Sequence, residues 1–249
     1  MPLILLYALL IAVCQNLLFF VIAYVFQTDK LTDLTYSLTF IAIAITGYLF
    51  SDYTVAGLIT LCLIVLWAVR LGMYLMARVH KMGRDDRFDK IRPYPIKFLG
   101  FWTVQAVTCF LVSLSALIIF SDATRSIDVF FIAGLVVALG GLLLEIIADY
   151  QKYDFKSQHP KRFMQTGVWR MVRHPNYTGE ILFWLGLSIA AVGSPYWLYG
   201  FISPLWISFL LTKFSGVPIL QKKWETNYGD QQAYQEYKAN SYKLIPFIY

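Results

Sequence analysis

Charge is scarce in this chain of 249 residues. Only 14% are Asp, Glu, Lys or Arg, against about 25% in a typical soluble domain, while 58% are hydrophobic. The apolar excess falls in long runs, which excludes a disordered chain and one or two soluble domains. Cysteine is nearly absent. Cys14, Cys62 and Cys109 lie far apart inside apolar runs, so a disulfide scaffold and a thiolate metal centre are both excluded, and the three are expected as small buried residues. Histidine is equally rare, and His174 has no His, Cys or carboxylate partner at metal-ligand spacing, so no metal is expected. There is no internal repeat, which argues against a transporter built from inverted halves. No basic segment precedes the first apolar run and no small-residue cleavage site follows it. That run is expected as a retained transmembrane helix, not a signal peptide.

Seven apolar segments remain, at roughly 3–26, 34–50, 54–77, 98–120, 127–148, 181–193 and 197–213. Spanning a bilayer takes about 20 helical residues. The first five reach or approach that length. The last two are shorter, joined at Gly193-Ser194-Pro195, and are expected as a hairpin extended by polar turns that face protein. The fold class is therefore all-α, a polytopic transmembrane bundle of about seven spans in one domain over 1–249. Residues 1–97 would supply three spans and a basic loop, and 98–249 a second part carrying most of the chemistry.

The net charge of +6 is explained by topology, and nucleic acid is not expected as a partner. Arg78, Lys81, Arg84, Arg87, Lys90, Arg92 and Lys97 fill one loop. Lys152, Lys156, Lys161, Arg162, Arg170 and Arg173 fill another, and the C-terminal part adds Lys213, Lys222, Lys223, Lys238 and Lys243. Seven spans put all three groups on one side, leaving Arg125 opposite. The positive-inside rule then sets the N-terminus outside and the C-terminus in the cytoplasm. Tyr196, Trp197, Tyr199 and Trp102 are expected in the interfacial belts.

Some residues are expensive where they sit. Arg70 lies within the third span, and Trp67, Arg70, Tyr74 and Arg78 share a helical face. A central charge costs about 2.5–3.5 kcal/mol on insertion scales, so Arg70 either snorkels as an anchor or lines a cavity. Glu145, Asp149 and Lys152 share a face at the end of the fifth span. The densest polar stretch is Gly167-Val168-Trp169-Arg170-Met171-Val172-Arg173-His174-Pro175-Asn176-Tyr177-Thr178-Gly179-Glu180. Pro175 suits a first helical turn, so Arg173 and His174 sit where helix N–H groups and basic side chains can hold phosphate. Asp33 and Tyr36 open the second span. Tyr228, Tyr234, Tyr237, Lys238, Tyr242 and Lys243 interleave aromatics with lysines, which suits either base stacking over phosphate or a helix lying on the membrane surface.

These residues together resemble a known family. Thr32 to Tyr36, Arg70-Leu71 with Arg78, Gly83-Arg84-Asp85-Asp86-Arg87-Phe88, Glu145 to Asp149 with Gln151-Lys152 and Phe155-Lys156, Gly167 to Trp169, Arg173 to Tyr177 with Gly179-Glu180, Ser215-Gly216-Val217-Pro218, and Tyr237-Lys238 with Ile245-Pro246 follow in order. The pattern resembles bacterial membrane proteins long carried as a domain of unknown function and grouped with the steroid 5α-reductase family. That resemblance implies a seven-helix membrane fold that binds NADPH from the cytoplasm and passes hydride to a carbon–carbon double bond of a sterol or enone. The positions matching the cofactor shell are Glu145, Asp149, Lys152, Arg173, Asn176, Tyr177, Glu180 and Tyr237, with His174 and Lys243 added. Steroid 5α-reductases carry a catalytic Tyr three residues before the matching Arg, where this chain has Trp67. Tyr36 or Tyr74 is then the expected proton donor, with Asp33 nearby. The expected substrate is lipophilic and comes from the bilayer, and the expected location is a bacterial inner membrane. The related isoprenylcysteine and phospholipid methyltransferases share Arg-His-Pro-x-Tyr and a Tyr-rich tail, so an S-adenosylmethionine enzyme is the alternative. A protein that binds NADPH without turnover is another.

Overall fold

The computed structural model describes residues 1–82 and 88–244, with side chains at 78–82 left out. The Arg78 and Lys81 side chains, the Gly83 to Arg87 motif and Ile245-Pro246 thus lie outside the described residues. The described chain is helical. Five of its helical segments are long and apolar enough to cross a membrane: Pro2–Val25, Val55–Ala77, Pro95–Val112, Val129–Gln158 and Trp197–Tyr228. The chain divides into two compact units, Met1–Ile132 with Leu187–Ser203, and Ala133–Gly186 with Pro204–Tyr249.

The first unit begins with α1 (Pro2–Val25), α2 (Lys30–Leu49) and α3 (Val55–Met82). On α1 only Ile4, Ala8, Ala12, Asn16 and Ala23 are buried, a narrow stripe four residues apart in its first turns. Its Leu and Val side chains on other faces are exposed, as suits contact with lipid. Asn16 donates to the Ala12 carbonyl at 2.8 Å and to Thr39 Oγ1 at 3.4 Å, fixing α1 to α2. α2 is 20 residues long but buries Thr32, Thr35, Ser37 and Thr39, which lowers its hydropathy below that of the five apolar helices. Thr35 and Thr39 donate back to Leu31 and Thr35 carbonyls at 2.7 Å, so each hydroxyl is satisfied within its own helix. α2 and α3 run antiparallel. Ser37 lies beside Gly72, and Phe40 meets Trp67 edge-on with ring centroids 5.1 Å apart.

The expected fourth span is not one helix. α4 (Pro95–Val112) and α5 (Leu114–Phe120) are separated by a break at Ser113. Ser203 bridges that break. It accepts the Ser115 N–H at 3.1 Å and donates to the Leu111 carbonyl at 3.3 Å. Irregular backbone at membrane depth requires such substitutes for the lost helical bonds. Ser203→Ala is expected to lower stability by about 1–3 kcal/mol, the cost of a buried donor left unmade. A melting temperature in detergent unchanged from the parent would contradict it.

Other expectations are corrected here. Trp102 is not in an interfacial belt. It is 1% exposed, in a cluster with Phe98, Phe88 and Ala23. Cys109 is buried but Cys14 and Cys62 are exposed on their helices. Arg125 is buried, and its guanidinium forks onto Asp128 with two bonds of 2.9 Å. Asp128 also accepts the Phe131 N–H at 2.8 Å. This loop thus neutralises its own cation.

The second unit is built on α6 (Val129–Gln158) and α7 (Pro175–Ala190). Glycines bring their backbones together. A Cβ on Gly141 would lie 2.5 Å from the Gly179 carbonyl oxygen and the Phe183 nitrogen, and one on Gly186 would lie 2.3 Å from the Ala138 nitrogen. This is the small-residue packing that membrane helices use in place of a hydrophobic driving force. α7 begins six residues before the apolar run starting at Ile181, so the short segment is lengthened by a polar first turn. α8 (Ile202–Phe209) leads into a π-helical turn over Leu210–Phe214, a break at Ser215-Gly216, then α9 (Val217–Tyr228) and α10 (Gln232–Ala239). Ala148, Phe163, Met164, Trp169, Trp224, Tyr228, Tyr234 and Tyr237 form one buried cluster. α9 and α10 therefore belong to a packed core and are not helices resting on a membrane surface.

Candidate functional site

The ten residues matched to a cofactor shell all fall in the second unit, and the three proton-handling candidates all fall in the first. The last turns of α6 carry Glu145, Asp149 and Lys152 on one face. Glu145 is 2% and Asp149 5% exposed. A Cβ on Gly179 would lie 2.7 Å from Glu145 Cγ, so glycine there lets α7 lie flush against the Glu145 side chain. The close helix crossing thus places a buried carboxylate against the first turns of α7, near Asn176 and Glu180. Both of those are half-buried.

Next to it, Gly167 has φ +59, the left-handed conformation that glycine adopts without strain. Gln151 Oε1 accepts the Val168 N–H at 3.0 Å, and the Trp169 indole N–H donates to the Ala148 carbonyl at 3.0 Å. These bonds fix Trp169 under Lys152, whose Nζ lies 4.7 Å from the ring centre. The motif Gly167 to Trp169 is thus a support that aims Lys152.

His174 is the centre of the arrangement. It is 2% exposed and lies between two rings, Tyr177 at 5.4 Å and Trp224 at 5.6 Å. Its Nδ1 has no hydrogen-bond partner among the described residues. Burial first, then the positive charges of Lys152, Arg173 and Lys243, push its pKa down to about 3. Burial, with these cations adding to it, keeps the histidine neutral at physiological pH.

A stability prediction follows. Between pH 6.5 and about 3 the unfolded state takes up a proton that the folded state refuses. Stability therefore falls as pH falls through that window, by about 1.4 kcal/mol per pH unit for one proton. His174→Asn removes that proton. From pH 6.5 to pH 5 the variant is expected to gain about 1.5–2 kcal/mol relative to the parent, whatever its offset at neutral pH. Parallel melting curves over that interval would contradict the assignment.

The start of α7 offers less to an anion than its sequence suggests. Pro175 has no N–H, and the Tyr177 and Thr178 N–H groups both bond the His174 carbonyl, at 3.1 and 3.2 Å. Side-chain cations, more than helix N–H groups, make this site positive. Arg173 has a second engagement: its Nη1 donates to the Lys238 carbonyl at 2.7 Å and to Ser241 Oγ at 3.0 Å. Tyr237 is fixed within the core. It is 8% exposed, donates its hydroxyl to the Trp169 carbonyl and stacks on Phe163. Burial pushes its phenol pKa up. Tyr237 therefore supports Trp169, and through it the place of Lys152. Tyr177 is half-buried and its ring covers Gly216, where a Cβ would lie 3.0 Å from Tyr177 Cε2 and 2.5 Å from the Leu211 carbonyl. The motif Ser215-Gly216-Val217-Pro218 is needed there because only glycine fits.

In the first unit, Asp33 and Tyr36 lie in the first two turns of α2 and Arg70 and Tyr74 on α3, all half-buried. The Tyr36 ring meets Phe40 edge-on at 5.1 Å, and Phe40 meets Trp67 in the same way. The antiparallel register, Ser37 beside Gly72, spreads the backbone positions of these four residues over about 9 Å along the α2–α3 pair.

Sequence reasoning missed three features. Trp224 is the second face of the His174 sandwich and carried no polar signal. Gly141 carried a signal in its spacing, since Gly134, Ala138, Gly141 and Glu145 repeat at three and four residues. The pairing of Tyr242 and Lys243 with the stretch before α7 had none, because three isolated backbone bonds leave no periodic pattern. Among the described residues no group of three or more His, Cys, Asp or Glu side chains is placed to hold a metal ion.

A family profile described as "Protein of unknown function (DUF1295)" matches residues 19–241, which contain every one of these residues except Lys243. That family falls in the steroid 5α-reductase-like group. No curated protein matches the chain.

Proposed function

The chain belongs to the DUF1295 family, and from that premise and its site we propose a membrane-embedded, NADPH-dependent reductase acting on a carbon–carbon double bond of a lipophilic substrate. The observation that carries this reading is the placement of Lys152 over Trp169, and of Arg173 and Lys243 along the backbone of a buried His174, whose pKa their charges help burial to lower. Three cations gathered around one buried ring suit a ligand bearing several phosphates. S-adenosylmethionine carries one carboxylate and a positive sulfonium, and suits such a potential poorly.

NADPH would supply the hydride. Lys152, Arg173 and Lys243 would hold its phosphate oxygens, and His174 would offer Nδ1 to one more polar atom. Glu145, Asp149, Asn176 and Glu180 bring carboxylates and an amide, the groups that hydrogen-bond ribose hydroxyls and a carboxamide. Tyr177, already stacked on His174, would form a wall for the ring that enters beside it. A polarised enone develops negative charge on its oxygen as hydride adds, so an acid must stand there. Tyr36 or Tyr74 takes that part, with Asp33 orienting or replenishing the proton. The substrate reaches the site laterally from the bilayer. The proposed topology has seven spans, with α2 and α7 completing the five apolar helices, an outer N-terminus and a cytoplasmic cofactor site in the inner membrane.

The chemistry separates the alternatives. Membranes holding the protein would be incubated with NADPH deuterated at the transferred position, or with methyl-deuterated S-adenosylmethionine, and the lipids examined by mass spectrometry. A reductase moves one deuteride from NADPH onto a lipid carbon, and the lipid also gains a solvent proton. Transfer of an intact deuterated methyl group, with no label from NADPH, overturns the proposal in favour of the methyltransferase.

A further inference from the structure

Resting on that reading, we propose that Gln105 is a positioning residue for the proton donor, and that the donor it positions is Tyr36. Gln105 sits in the middle of α4 and is 7% exposed. A buried amide within an apolar helix needs a partner. Its Nε2 donates to the Thr32 carbonyl at 3.1 Å. Thr32 and Tyr36 stand one turn apart on α2, so that carbonyl is also the helical acceptor of the Tyr36 N–H. Gln105 therefore holds, from α4, the rung of α2 to which the Tyr36 backbone belongs.

The first turn of α2 needs such a hold. Asp29 stands at its N-cap but makes no side-chain bond to the helix N–H groups, and helix ends fray unless other groups tie them down. Arg92, in the turn before α4, ties this one: its guanidinium pairs with the Asp29 carboxylate and, at 2.9 Å, with Asp89. The Thr32 and Thr35 hydroxyls donate to the Asp29 and Leu31 carbonyls at 2.8 and 2.7 Å, so their protons stay within this end of the helix. Gln105 adds the bond from a neighbouring span. The tyrosine ring is held separately. It meets Phe40 edge-on at 5.1 Å, and Phe40 meets Trp67 edge-on at 5.1 Å. Different neighbours thus fix the backbone and the ring of Tyr36. As hydride adds to the double bond, the enone oxygen takes the Tyr36 proton, solvent returns one to the phenolate, and the enol relaxes to the ketone. A misplacement of about 1 Å at such a group costs about a hundredfold in rate. Gln105 acts through that distance and not by touching the substrate.

The test combines Gln105→Met, which keeps the length but has no N–H, with fluorine NMR of the full chain in detergent. One protein carries 3-fluorotyrosine at position 36 alone, another at position 74 alone. Gln105→Met is expected to shift or broaden the fluorine signal at 36 and to leave the signal at 74 unchanged. In membranes supplied with NADPH deuterated at the transferred position, the same variant is expected to slow transfer of the label into lipid by about ten- to a hundredfold at saturating NADPH. The NADPH concentration for half-maximal transfer should stay within about twofold of the parent's, since the cofactor shell is untouched. Ser203→Ala is the control for lost stability. It is expected to lower the melting temperature, yet to keep the signal at 36 and, below that temperature, the parent's transfer rate. A signal at 36 that Gln105→Met leaves unchanged, or that moves no more than the signal at 74, overturns the inference whatever the activity. A signal that moves at 36 while transfer proceeds at the parent's rate overturns it too, because Tyr36 is then not the donor. If the signal at 36 moves and no protein transfers the label, the parent included, the reductase reading fails while the hold of Gln105 on Tyr36 stands.

Discussion

Gly141→Ala is expected to disable the protein, while Gly140→Ala, one residue away, is expected to be tolerated. A Cβ at Gly141 would stand 2.5 Å from two backbone atoms of α7, and backbone cannot rotate aside. A Cβ at Gly140 meets nothing within 4 Å. Overpacking in a close crossing costs typically about 1–3 kcal/mol, occasionally more. Replacing an unneeded helical glycine instead gains about 0.5–1 kcal/mol. The two variants should therefore move the melting temperature in opposite directions. Gly179→Ala should behave like Gly141→Ala, since its Cβ would meet the Gly141 carbonyl at 2.6 Å and Glu145 Cγ at 2.7 Å. Equal melting temperatures for the 140 and 141 variants would mean that α6 and α7 do not cross as described. Glu145 would then lose its stated place against the start of α7.

Lys152→Gln is expected to weaken NADPH binding by about ten- to a hundredfold. A hydrogen bond to a charged group contributes about 1.5–3 kcal/mol, and each 1.4 kcal/mol is about tenfold in affinity. The substitution removes one of the three charges around His174 and also the cation held over Trp169. The His174 pKa should rise in consequence, because a neighbouring positive charge that lowers it is gone. Trp169→Phe keeps an aromatic face but loses the indole bond to Ala148, so it should weaken binding less. A Lys152→Gln protein that binds NADPH as the parent does would remove Lys152 from the phosphate site and leave the positive potential without its assigned purpose.

Much of the fold was legible because membrane helices announce themselves by long apolar runs. Five of the seven expected segments coincide with helices of spanning length and composition, the last of them running on from Trp197 to Tyr228. α2 and α7 were legible as apolar segments, but their limits were set too tightly. α2 begins at Lys30, four residues before its apolar run, and α7 at Pro175, where a first helical turn was expected. The break at Ser113 was not legible, since Ser203, which makes it tolerable, lies ninety residues on in the chain. Trp102 was misplaced because a tryptophan near a helix end suits both a lipid interface and an aromatic core, and only its neighbours Phe98 and Phe88 decide.

The site was legible in a different way. Polar residues inside or beside apolar runs are costly enough to stand out, which is how Glu145, Asp149, Lys152 and the stretch from Gly167 to Glu180 were found. Their division of labour was not. Tyr237 resembled a stacking platform by type and position, yet its hydroxyl donates to the Trp169 carbonyl and its ring already stacks on Phe163. Arg173 resembled a phosphate ligand and also donates to the Lys238 carbonyl and the Ser241 hydroxyl. Hydrogen bonds to main-chain carbonyls decide such roles, and a sequence shows no carbonyl.

The central claim is that the cations around His174 form a site for a phosphate-bearing nucleotide. The most direct measurement is a thermal shift of the purified protein in detergent with NADPH, NADH and S-adenosylmethionine side by side. A ligand at about 100 times its dissociation constant stabilises the folded state by about 2.7 kcal/mol. The account predicts the largest shift with NADPH, a smaller one with NADH, which lacks one phosphate, and none with S-adenosylmethionine. A shift with S-adenosylmethionine alone would contradict it.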